Sequence, residues 1–370
     1  MRLLALALVL ASAPALADDD FGGATIIFAR GGSLYRADPK GRNERELAKL
    51  PDKAQVRALR TDAQGKVLLV DLAGTWSYLP LDGAASELKP LPCADGPAQL
   101  AEDGACVFCR AATSGSQIVN LATGKVFPVQ VPAPGTRLAG LGSGRKLVWA
   151  DTGGVWTAPP GNPKQATRVA PEAPQRAFLP SPDGSRAVGV YPDEVYTDAH
   201  HKQAADVLVG FALDGEGARR KGIKDGIPVE WSHDNTWVLV QDGAKACLMR
   251  ATGGEYKCWR GYTAASIASD GKFALVLGNR DGSKKQTPAK KDGKSAKKAA
   301  KKPAHPAEPA EGSEGEDADA TAAPADVEVP PPGGPLALFR VRLEGSPYTE
   351  PPALVTKVVD GAAVWVPAKP

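Results

Sequence analysis

The chain is 370 residues long with 40 glycines, 33 prolines and a formal charge of only +3, a balance that argues against a general nucleic-acid binder. Its length suffices to bury a sizeable core. Frequent Gly and Pro, with short alternating runs of Val, Leu, Trp and Tyr between them, exclude a helical protein and predict an all-β one.

Residues 1–17 read MRLLALALVLASAPALA: an Arg after Met, an apolar run broken by Pro14, and a small-x-small end at Ala15 and Ala17, followed by three aspartates. This is the pattern of a cleaved secretory signal peptide and places the protein in the periplasm or outside the cell. The run is too short and too broken for a membrane anchor, no cysteine sits at the cleavage point, and no later run is long enough to span a bilayer. A single domain is expected over residues 18–370.

The strings ATIIFAR (24–30), GSLYRAD (32–38) and EREL (44–47) predict three strands. Beyond them a turn-centred hairpin recurs: RTDAQGKVLLV (60–70), LAEDGACVF (100–108), LGSGRKLVW (141–149), RAFLPSPDGSRAVGV (176–190), WSHDNTWVLV (231–240) and ASDGKFALV (268–276). Each joins two apolar strands through a tight turn, as in Ser181-Pro182-Asp183-Gly184, where Pro presets φ and Gly accepts a positive one. Counting between turn residues 65, 104, 144, 184, 235 and 271 gives steps of 39, 40, 40, 51 and 36. A second hairpin follows, clearest in TWSYLPLDG (75–83) with SELK (86–89) and in VLVGFALDG (207–215) with ARR (218–220). Four short strands every 40 or so residues is the signature of propeller blades. The first unit lacks its innermost strand, and DGAAVWVP (360–367) resembles DGIPVEWS (225–232), which leads into one. The C-terminal strand is therefore expected to complete the first of seven blades and close the ring.

Five cysteines in an exported chain favour disulfides with one residue left over. Cys247 and Cys258 flank a loop centred on Thr252-Gly253, which sets them opposite one another across an antiparallel pair. Cys93, Cys106 and Cys109 form the second group. Cys106 and Cys109 sit mid-strand, where a spacing of three points them to opposite faces; that favours a structural bridge from Cys93 to one of them over redox or metal chemistry.

Two interruptions break the repeat. The step of 51 reflects an extra loop, YPDEVYTDAHHK (191–202), and a longer insertion over 282–335 sits at the same place two blades later. Both should rise from one face. The long insertion is a Lys/Ala/Pro block followed by a Glu/Asp-rich one with almost nothing to bury, and is expected to be disordered. It reads as a solvated loop rather than a basic arm for anionic partners.

Asp193, Glu194, Asp198, His200 and His201 form the one cluster of ligand-type side chains, but their spacing matches no metal loop and a solvated polar loop is the better reading. Asp193, Glu194, His200 and His201, with Tyr196, mark the expected binding face. His233 is expected to hydrogen-bond its own turn, and the seven tryptophans to pack between blades. No nucleophile elbow, phosphate loop, zinc-protease helix or dinucleotide fingerprint is present, so no cofactor or metal is predicted.

With its Ser181-Pro182-Asp183-Gly184 turn and the Leu-Asp-Gly turns at Leu81 and Leu213, the chain resembles the TolB-like and WD-type repeat propellers of exported bacterial proteins. That resemblance covers nearly the whole mature chain at the level of the repeat. It implies a rigid interaction platform; with the charge and hydropathy above, the expectation is a monomer without membrane span or nucleic-acid ligand that binds a protein or envelope component. The rival is a propeller hydrolase or lyase with acidic and His residues at the channel mouth.

Overall fold

The computed structural model describes residues 21–83, 87–93, 98–110, 116–129, 137–141, 146–159, 162–196, 202–213, 220–252, 256–279, 336–343 and 352–368. The 282–335 insertion lies outside them. Twenty-eight strands form seven four-stranded antiparallel sheets, the blades of a propeller, with a single 3-10 turn, Pro163–Gln165, among the described residues.

Blade 1 holds β1 (Thr25–Arg30), β2 (Ser33–Ala37) and β3 (Arg45–Lys49); blade 2 holds β4 (Val56–Thr61), β5 (Val67–Leu72), β6 (Thr75–Pro80) and β7 (Lys89–Pro90). Blade 3 follows with β8 (Ala98–Leu100), β9 (Cys106–Arg110), β10 (Ser116–Asn120) and β11 (Val126–Val129), and blade 4 with β12 (Arg137–Leu141), β13 (Leu147–Asp151), β14 (Gly154–Ala158) and β15 (Thr167–Ala170). Blade 5 comprises β16 (Phe178–Pro180), β17 (Arg186–Tyr196), β18 (Lys202–Ala212) and β19 (Arg220–Lys224). Blade 6 comprises β20 (Ile227–Trp231), β21 (Trp237–Asp242), β22 (Lys245–Arg250) and β23 (Tyr256–Arg260). Blade 7 comprises β24 (Tyr262–Ile267), β25 (Phe273–Asn279), β26 (Leu336–Arg342) and β27 (Ala353–Val359). The last strand, β28 (Ala363–Val366), returns to blade 1 and pairs with β1 in the register Thr25↔Val366 to Phe28↔Ala363. The ring therefore closes as the sequence predicts.

Each sheet is buried on both faces, so its second strand is an unbroken apolar run rather than an alternating one. In β1, Ile26 and Phe28 point toward blade 7 while Ile27 and Ala29 point toward blade 2. The buried side chains gather into seven clusters, one at each blade interface. The tryptophans serve these interfaces: Trp76, Trp149, Trp231 and Trp365 are buried, and Trp365 stacks on Phe273 at 5.8 Å across the closure. Outermost strands meet water on one side; Pro90 and Pro128 sit there, where a missing N–H costs no ladder bond.

The recurring turn has one construction. At its fourth residue Gly65, Gly104, Gly184, Asn235 and Gly271 all take φ between +58° and +69°, and each donates its N–H back to the first residue's carbonyl at 2.9–3.1 Å. Two side-chain solutions hold the first residue. Ser181 and Ser232 each donate Oγ–H to the aspartate two positions on, at 2.6 and 2.5 Å, while accepting from the N–H of Arg186 and Trp237. In blade 2 Asp62 does the whole task alone, accepting from the N–H groups of Gln64, Lys66 and Val67 at 3.2, 2.8 and 2.7 Å.

Two disulfides lie within blades 6 and 3. Cys247 and Cys258 face one another in register, with Cα atoms 4.0 Å apart. Cys93 joins Cys109, with Cα atoms 5.7 Å apart, while Cys106 is buried on the opposite face of β9, against blade 4.

Candidate functional site

Residues 191–202, expected to be a loop, are for the most part strand. Strands β17 and β18 pair over eleven rungs, from Arg186↔Ala212 to Tyr196↔Lys202. Pro192, Asp193 and Glu194 carry little β-propensity, yet the ladder continues through them because the flanking Val190-Tyr191 and Val207-Leu208 fix its register. The neighbouring strands stop short: β16 pairs with β17 only at residues 187–189, and β19 with β18 only as far as Val207. Five rungs, beginning at Pro192↔Asp206, thus extend beyond the blade as a two-stranded ribbon, on the order of 15 Å long. The ribbon's root is fastened by an ion pair between Arg176 and Asp206 at 2.8 Å and by the Asp225 N–H on the Asp206 carbonyl at 2.7 Å. Asp193, Glu194 and Tyr196 therefore ride on the ribbon, at rungs opposite Ala205, Ala204 and Lys202. Asp198, His200 and His201 lie outside the described residues. The gap between β25 and β26 holds the same topological place as the ribbon tip, between the second and third strands of a blade.

A second constellation lies in the central channel and was not foreseen. The innermost strand of each blade has one edge without a sheet partner, and in blades 1, 3, 5 and 7 side chains from an adjacent blade satisfy some of its backbone groups. Arg60 Nη1 donates to Ala98 O at 3.0 Å, and Gln241 Oε1 accepts from Ala264 N at 2.7 Å. Glu230 Oε2 accepts from Ile267 N at 2.8 Å, Ser266 Oγ from Trp365 N at 3.1 Å, and Trp231 Nε1 donates to Leu179 O at 3.1 Å.

Arg60 and Glu230 occupy equivalent positions, two residues before the turns that begin at Asp62 and Ser232. They face the channel from blades 2 and 6, enclosed by protein yet each keeping some surface open to a cavity. This cavity, of about 110 Å³, is lined by Arg57, Arg60 and Glu230 and walled chiefly by Ala58, Ala264, Ala265, Ala362 and Gly361. Burial raises the Glu230 carboxyl to about 7, against the opposing pull of the Ile267 N–H, the Ser266 hydroxyl and the Arg60 charge. Burial likewise lowers Arg60. Arg60 and Glu230 attract through space, but no hydrogen bond or ion pair is formed between them.

His233 lies at the turn of blade 6, where burial lowers its pKa despite the charges of Asp62 and Asp234. Its Nδ1 is buried without a hydrogen-bond partner, so the imidazole does not stitch its turn as expected; Ser232 and Asp234 do that. Among the described residues the one group of three possible metal ligands is Asp242 with Cys247 and Cys258, whose sulfurs are bonded to each other.

No known family profile matches the chain, and no curated protein matches it in sequence. Solved structures are similar to it over part of their length. A TolB candidate from Agrobacterium tumefaciens is 14% identical over 64% of this chain and 87% of its own, with a TM-score of 0.42. The dihydro-heme d1 dehydrogenase NirN is 15% identical over 74% of this chain and 72% of its own, at 0.43. The AfRom2 CNH domain is 12% identical over 70% of this chain and 89% of its own, at 0.44. At these identities and scores none of the three bears on what this chain binds.

Proposed function

We propose that the chain is exported, loses residues 1–17 and works in an oxidising compartment as a non-enzymatic binding platform for a protein or cell-envelope component. The single observation that carries this reading is the β17–β18 ribbon. A two-stranded ribbon outside any sheet is marginally stable by itself and buries little core, so its retention is better explained by contact with another molecule than by the needs of the fold. Two disulfides and the absence, among the described residues, of a helix long and apolar enough to cross a membrane support an exported rather than embedded protein.

A propeller hydrolase or lyase is the rival reading, and the channel residues could be held to serve it. The 110 Å³ cavity is well below the roughly 300–1,000 Å³ of pockets that enclose a metabolite-sized substrate, which weighs against it. The test is a pull-down from envelope extract with three mature proteins: the whole chain, one lacking residues 283–334, and one with the ribbon cut back to the Tyr191↔Val207 rung. The same partner should be captured by the first two and lost with the ribbon. Capture by the trimmed protein, or no capture by any of the three, would remove the basis for the proposal.

A further inference from the structure

The side of blade 6 that meets blade 5 gathers three ligand-type side chains, and what they can do does not depend on the ribbon. Strands β21 and β22 pair Val240 with Cys247 and Asp242 with Lys245, and β22 and β23 pair Cys247 with Cys258. Residues two apart on a strand share a face, so Asp242, Cys247 and Cys258 all lie on the same one. A carboxylate oxygen of Asp242 and the two sulfurs are within 4.8 Å of one another, and among the described residues no fourth Cys, His, Asp or Glu completes the group. Cys247 is enclosed in the blade 5–6 core with Val190 and Leu208, whereas Cys258 is half-buried and Asp242 keeps 21% of its side chain exposed. The group therefore runs from the core to the surface. Two cations share the face: Lys245, bonded to Asp242 at 2.7 Å, and Arg260, opposite Lys245 in the ladder.

We propose that Asp242, Cys247 and Cys258 form a site for a zinc-type divalent ion that opens when their disulfide is reduced, with water in the fourth position. Tetrahedral coordination, with bonds of about 2.3 Å to sulfur and about 2.0 Å to oxygen, sets ligand atoms about 3.5–3.8 Å apart, a triangle that this trio reaches by side-chain rotation once the sulfurs part. Parting them takes two electrons and two protons from a dithiol, which itself becomes a disulfide while the protein gains two thiols. The ion then displaces both thiol protons to solvent and takes Asp242 from Lys245, whose ammonium returns to water. Four further rungs between β22 and β23, reaching from Lys245↔Arg260 to Met249↔Tyr256, hold the thiols opposite one another without the bridge. Access favours this bridge over Cys93–Cys109, both of whose members are buried. The sulfur donors select zinc over magnesium or calcium, which require oxygen. Bridge and ion are alternative cross-links of the same two strands.

Cobalt(II), whose thiolate charge-transfer absorption reports sulfur ligation, is the probe, added to the whole mature protein either oxidised or reduced with a water-soluble phosphine. The reduced protein should take up one cobalt per chain with that absorption, zinc should displace it, and the oxidised protein should show no such band. D242N, which keeps both thiols, should weaken binding by at least about tenfold. C258S, at a half-buried position, should lose the band. Circular dichroism follows the sheet signal in every sample. The proposal is overturned by a reduced protein that shows no cobalt band or has lost its sheet signal. It is equally overturned by undiminished binding in D242N, or by a band that survives in C258S and so belongs to Cys93, Cys106 or Cys109.

Discussion

At the scale of the residue, the channel groups give the protein a defined pH behaviour. Glu230 keeps its proton in the native state to about pH 7, whereas an unfolded glutamate loses it near 4.5. Between those values the native state binds more protons than the unfolded one, so stability falls as pH rises through the window. The effect is on the order of 2–3 kcal/mol once the part of the side chain open to the channel is discounted. His233 acts in the opposite sense: burial lowers its pKa below 6.5, the unfolded state takes up the proton first, and stability falls as pH drops below that value. Melting temperatures measured from pH 6.5 to pH 8, above the range in which His233 acts, should decline for the native protein, and E230Q should abolish the decline. H233Q should instead reduce the loss on the acid side. None of this was legible along the chain, because Arg60 and Glu230 belong to strands remote in sequence and meet only through ring closure. The clue lay in the repeat itself. Placing the turns at Asp62 and Ser232 in register puts both charged residues at one position of an inner strand, where Leu179 and Ser266 stand in other blades.

At the scale of the element, the turns dominate. Gly104 and Gly31 both hold positive φ, +69° and +57°, but their surroundings differ. A Cβ on Gly104 would stand 3.0 Å from Cγ of Asp62, whose carboxylate is pinned by three backbone N–H groups; one on Gly31 would meet nothing. Urea unfolding should show G31A losing about 1 kcal/mol, the cost of the backbone conformation, and G104A about 2–3 kcal/mol, since Asp62 must also shift. The disulfides divide along a similar line. The spacing around Thr252-Gly253 sufficed for Cys247 and Cys258 because their pairing is local. The choice between Cys106 and Cys109 turned on which face of β9 meets the segment after β7, a matter of blade packing. Alkylation without reductant should modify one thiol, Cys106, and only after unfolding, while C247A/C258A should destabilise the protein by about 2–3 kcal/mol. The ribbon was read as a loop for a related reason. Its polar residues, with Pro192 among them, lack the pattern of a buried strand because no sheet covers them.

At the scale of the whole molecule, seven blades and their closure followed from the spacing of turns and from the missing strand of the first unit. The closure is also where one short element carries the most. Ala363, Val364, Trp365 and Val366 are all buried, and Phe21 and Phe273 gather around the Trp365 ring at 6.2 and 5.8 Å. Removing residues 363–370 should abolish the single cooperative thermal transition of the full chain, leaving a protein that limited proteolysis digests from blade 1.

The β1–β28 pairing also dictates an order of events. Strand β1 receives its inner neighbour only once residues 363–366 have been made. Until then its edge is open, and this pairing waits on the completion of every blade between. Chains stalled or nicked before β28 should therefore be the species that pair with one another through that edge and aggregate, whereas a chain that carries β28 conceals it.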